Sequence, residues 1–72
     1  MKKTVRLLEL DCAHCAAEIE RAVRGIKGID SASVNFFTRR MTIDTSESDF
    51  ERIFDTIVKT VHKIEPDVRV CL

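Results

Sequence analysis

Residues Leu8 to Val23 read "LELDCAHCAAEIERAV". Cys12 and Cys15 stand three positions apart, with Asp11 directly before the pair and His14 inside it. A Cys-x-x-Cys on a loop that enters a helix puts both sulfurs on one side, near enough to grip a single ion. The helix N-terminus adds partial positive charge and unpaired N–H donors, which favour thiolate over thiol. Thiolates are the ligands that soft and borderline metals take. The same spacing serves thiol–disulfide exchange. The setting for that chemistry is missing, because the chain has no tryptophan, no Gly-Pro between the cysteines and no second proline to face them.

The elements that must position this pair follow from the pattern around it. "TVRLLEL" (4–10) alternates apolar and polar residues and predicts a first strand. From Ala13 to about Lys27, Cys15, Ala16, Ile19, Ala22, Val23 and Ile26 recur at helical spacing, and "GIKG" stops the run. "SASVNFF" (31–37) and "RMTIDT" (40–45) predict a hairpin turning at Thr38 and Arg39. "SESDFERIFDTIVKTVHKI" predicts a second helix. Ser48 and Glu51 have capping-box spacing, and Asp49 suits the positive helix end. Glu65-Pro66 ends that helix, and "DVRVCL" (67–72) supplies a last strand.

The order βαββαβ predicts an α+β, ferredoxin-like sandwich, with two helices on one face of a four-stranded antiparallel sheet in strand order 4-1-3-2. In that order the end of strand 1, near Cys12, neighbours the start of strand 4, near Glu65, Pro66 and Asp67. Cys71 falls at the far end of strand 4, roughly 13 to 20 Å from the pair at about 3.3 Å per residue, and is expected to be no ligand.

Composition bounds the function. A chain of 72 residues makes one domain, 1–72. Twelve basic and twelve acidic residues cancel, so no bulk electrostatic attraction for nucleic acid or an anionic membrane is present. RNA-recognition domains share βαββαβ, but "RMTID" on strand 3 carries no aromatic. No apolar run approaches the ~18 to 20 residues that span a bilayer. The N-terminus lacks a signal-peptide apolar region, because Arg6, Glu9 and Asp11 interrupt it. Three cysteines cannot all pair within the chain, and thiols fit a reducing, cytoplasmic setting.

With its strand before the motif, the "CAHCAAEIERAV" helix start, the "ASVNFFTRRMTI" hairpin and the closing "KIEPDVRV", essentially the whole chain resembles the heavy-metal-associated domain. That domain occurs in metallochaperones and at the N-termini of metal-exporting P-type ATPases. Copper-handling members carry Gly-Met-Thr before the first cysteine; here those places hold Glu9, Leu10 and Asp11. "LDCAHCA" is similar to the N-terminal domains of zinc-, cadmium- and lead-exporting ATPases, where an aspartate precedes the first cysteine. On that resemblance Asp11, Cys12 and Cys15 are metal-site residues.

The chemistry of the donors agrees with a divalent ion. Two thiolates satisfy Cu(I), and a hard carboxylate adds little for it. Zn(II) takes about four ligands in a tetrahedral array and accepts sulfur and oxygen together. One Zn(II), Cd(II) or Pb(II) ion per domain is therefore expected, with Cu(I) less favoured. The alternative role for Asp11 is the helix N-cap. Glu65, where copper metallochaperones of this fold tend to carry lysine, is a further candidate ligand or a capping residue, and Asp67 is a weaker one. His14 is expected to point outward and His62 to lie at the surface. Phe36, Phe37, Phe50 and Phe54 are assigned to the core or sheet face, and Ile64 to packing beneath the cysteine loop.

No nucleotide motif is present, so the chain alone is not expected to be an enzyme. Its expected role is to bind an M(II) ion reversibly, either to deliver it or to regulate an attached pump by metal supply, and the metal-free chain is expected to be a monomer. The ion would pass to the rest of a plasma-membrane, ATP-driven exporter, or to another metal-binding domain. An ending at "VRVCL" fits a domain boundary in a longer protein. A free-standing cytosolic metallochaperone for zinc or copper is the alternative.

Overall fold

A computed structural model describes Met1–Leu72 in full. Its elements are β1 (Lys2–Leu8), α1 (Ala13–Arg24), β2 (Ile29–Asn35), β3 (Arg40–Thr45), α2 (Phe50–Ile64) and β4 (Arg69–Cys71). The single sheet has the order β2-β3-β1-β4, the expected 4-1-3-2 arrangement, with every neighbouring pair antiparallel. The fold is the ferredoxin-like βαββαβ sandwich.

Alternation along β1 sends Val5 and Leu7 into the core, and Met41 and Ile43 of β3 join them. Helical spacing sends Ala16, Ile19 and Val23 of α1, and Ile53, Ile57 and Val61 of α2, onto the same face. Burying each large aliphatic side chain contributes ~1.5 to 3 kcal/mol, so this one layer holds the sandwich together. Leu10, fully buried, anchors the loop between β1 and α1 to that core. No helix is long and apolar enough to cross a membrane.

Several boundaries differ from the sequence expectation, each for a local reason. β1 ends at Leu8 because Glu9 turns into the left-handed region, φ 66°. α1 stops at Arg24, where Gly25 N–H bonds the Ala22 carbonyl and Ile26 N–H bonds the Val23 carbonyl, each at 3.1 Å. β2 ends at Asn35, whose Oδ1 accepts the backbone N–H groups of Phe37 and Thr38 and folds the chain into a turn. Phe37 is consequently 91% exposed and is not a core or sheet-face residue, whereas Phe36, Phe50 and Phe54 pack against the core. The N-cap of α2 is Asp49, which accepts from Arg52 N–H at 3.3 Å, so the capping register lies one residue beyond Ser48. β4 begins at Arg69, after a turn closed by Val68 N–H on the Glu65 carbonyl.

Candidate metal centre

Cys12, not Asp11, is the N-cap of α1. Its backbone is extended, and its Sγ accepts the N–H of Cys15 at 3.2 Å. Asp11 is therefore released from capping and lies exposed one residue earlier. Cys15, in the first turn of α1, is half-buried against the core. Its thiol donates to Glu65 Oε2 at 3.4 Å, across fifty residues of sequence and from the opposite end of α2. The antiparallel pairing of β1 with β4 brings that end of α2 to the cysteine loop, as the strand order requires.

The two thiols are electrostatically unlike. The neighbouring Cys15 side chain and the hydrogen bond from Cys15 N–H hold Cys12 below the ordinary thiol range, with His14 N–H adding to them. Cys15 is pushed up to about 12, first by its bond to Cys12, then by desolvation and the Glu65 carboxylate. The metal-free pair thus holds a thiolate-prone sulfur at the cap and a protonated sulfur one turn in. This agrees with the preference of helix N-termini for negative charge.

Asp11, Cys12 and Glu65 line one open hollow, together with Glu9, His62 and Asp67. No three His, Cys, Asp or Glu side chains already converge at ligand spacing, so the donors surround the hollow without closing on its centre. His14 points away, as expected, and pairs with Glu18 at 2.6 Å. Cys71 pairs in register with Arg6, two residues up β1 from its site end at Leu8, and is outside the hollow. Sequence reasoning left His62 as a surface residue. It is exposed, yet its Nε2 donates to the Val68 carbonyl at 3.1 Å, and this holds the α2–β4 turn against the hollow. The signal was present in the spacing, with His62 in the last turn of α2 and three residues before Glu65, which caps that helix.

A βαββαβ sandwich with paired thiols at the mouth of its first helix is a small metal-binding module. Residues 4–67 match the heavy-metal-associated domain, and the chain belongs to that family. The cadmium, zinc and cobalt-transporting ATPase of Bacillus subtilis (strain 168) is 38% identical over 61 residues, which cover 85% of this chain and 9% of that protein. The probable copper-exporting P-type ATPase of Archaeoglobus fulgidus is 38% identical over 55 residues, 74% of this chain and 7% of that protein. The chain therefore spans a small part of these relatives. The N-terminal domain of a potential copper-translocating P-type ATPase from Bacillus subtilis, solved in its Cu(I)-loaded state, superimposes with a TM-score of 0.80. It is 25% identical and covers 99% of this chain and 84% of its own. Proteins named for divalent metals and proteins named for copper both stand among the relatives.

Proposed function

We propose that this chain binds one divalent ion, Zn(II), Cd(II) or Pb(II), through Cys12 and Cys15, with Asp11 and Glu65 supplying carboxylate oxygens. The ion is cargo. The domain sits in the cytoplasm as part of a metal-exporting P-type ATPase, and either delivers the ion to the transport path or regulates the pump by metal supply.

The observation that carries this reading is the Cys15–Glu65 contact. A tetrahedral Zn(II) holds sulfur at ~2.3 Å and carboxylate oxygen at ~2.0 to 2.2 Å, which leaves the two donors about 3.6 Å apart. Cys15 Sγ and Glu65 Oε2 lie 3.4 Å apart with a proton between them. An ion arriving at the Cys12 thiolate can replace that proton with little movement of either donor. Two thiolates neutralise M(II), and each carboxylate then favours M(II) over M(I), for which two thiolates suffice.

Titration of the reduced chain with Cd(II), followed by the thiolate-to-metal charge-transfer band, tests the site. Saturation at one ion per chain, with the band lost in Cys12→Ser and in Cys15→Ser but kept in Cys71→Ser, is expected. A band that survives either of the first two substitutions removes that cysteine from the site.

A further inference from the structure

The loop that carries Asp11 and Cys12 contains a backbone conformation that side chains rarely adopt, Glu9 at φ 66°. Two hydrogen bonds bracket this residue, and Arg39 makes both. The Arg39 carbonyl accepts Leu7 N–H at 2.8 Å, and Arg39 Nε donates to the Leu10 carbonyl at 2.9 Å. Arg39 itself sits at φ 55° in the β2–β3 turn, with its guanidinium over the Phe36 ring, 5.8 Å from the centroid. The gripped carbonyl belongs to Leu10, fully buried, and Asp11 and Cys12 are the next two residues. A guanidinium beside the cation-binding loop is unfavourable by charge alone, so its place there asks for a geometric reason.

We infer that Arg39 is a positioning residue for the metal loop. By holding Leu7 and Leu10 on either side of Glu9, it aims the Asp11 carboxylate at the ion that the cysteines receive. The inference rests on the proposal that Asp11 ligates. Arg39 does not line the hollow and touches no ion. Its planar fork fixes Nε toward Leu10 while the guanidinium carbon lies 5.8 Å from the Phe36 ring centroid, and a lysine ammonium cannot reproduce this pair of contacts.

The test compares Arg39→Met, which keeps the stem and removes charge and donor, with Arg39→Lys, which keeps the charge. Both retain a Cβ at the strained position, so backbone strain is matched. Zn(II) and Cu(I) affinities are measured by competition, and metal-free thermal midpoints confirm that each variant is folded. Arg39→Met is expected to lose about tenfold or more in Zn(II) affinity, the range for outer partners of metal ligands, with a smaller change for Cu(I). Arg39→Lys should fall with the methionine variant. Unchanged or tighter Zn(II) binding in Arg39→Met overturns the inference, tighter binding being what loss of a nearby positive charge alone gives. An equal loss for Cu(I) and Zn(II) also overturns it, because it marks general loosening of the domain. Asp11→Ala in the same series separates the two levels. If Asp11→Ala weakens Zn(II) and Arg39→Met does not, only the role of Arg39 falls; if Asp11→Ala is silent, the ligand role of Asp11 falls and the role of Arg39 with it.

Discussion

The N–H of Cys15 donates to the sulfur of Cys12, so the first thiol of the pair caps the helix that carries the second. This division of labour makes the two cysteines chemically distinct before any ion arrives. Cys12 lies below the ordinary thiol range and Cys15 is pushed up to about 12. In the metal-free chain near neutral pH, Cys12 should react with iodoacetamide well ahead of Cys15, because it holds the larger thiolate fraction. Peptide mapping of a time course reads the order directly. Equal rates would show that the capping bond does not separate the two.

Metal uptake should release protons. Cys15 stays protonated through the neutral range in the metal-free state, and a metal takes it as thiolate. At least one proton per ion must therefore leave, and apparent affinity should rise about tenfold per pH unit between pH 6 and 8. Calorimetry in buffers of different ionisation enthalpy counts the protons. Affinity independent of pH in that window would contradict a protonated Cys15.

The outer edge of β2 is closed by side chains of α1. Glu20 Oε2 accepts Val34 N–H at 2.8 Å, Arg24 Nε donates to the Ala32 carbonyl at 2.9 Å, and the two side chains pair at 3.2 Å. These are the backbone groups an added strand would use, since β2 is a terminal strand of the sheet. Glu20→Ala should cost about 1 kcal/mol in urea unfolding and raise self-association at high concentration in sedimentation experiments. A variant as stable and monomeric as the parent would deny the edge this protection.

Capping of α2 gives a paired comparison. Asp49→Ala should destabilise by about 1 kcal/mol, while Ser48→Ala should stay within about 0.5 kcal/mol of the parent, measured by thermal unfolding. The reverse order would restore the capping register that the sequence alone suggested.

The architecture was legible because each element carries its own period. Alternation in "TVRLLEL" and the 3.6-residue stripe from Phe50 to Ile64 survive into the sheet and α2 with shifted ends. The ends moved where a single side chain outcompeted the pattern, as Asn35 did by folding its own backbone into a turn and exposing Phe37. The cysteine pair was legible from spacing. The cap was not, because aspartate is the better N-cap by frequency, yet the helix begins one residue later, on a sulfur. Glu65 was placed near the site by strand order alone, and its bond to Cys15 gives that placement a donor and an acceptor. Arg39 could not be found from sequence, because it acts across twenty-nine residues through a backbone carbonyl.

A competition titration of the reduced chain with Zn(II) and with Cu(I), run beside Asp11→Ala, tests most directly whether carboxylates at the thiol pair select a divalent ion. The expected result is one Zn(II) per wild-type chain, with Asp11→Ala losing about tenfold or more in Zn(II) affinity while holding Cu(I) as before. Unchanged Zn(II) affinity in Asp11→Ala would contradict the proposal and leave the thiol pair without a divalent preference from that residue.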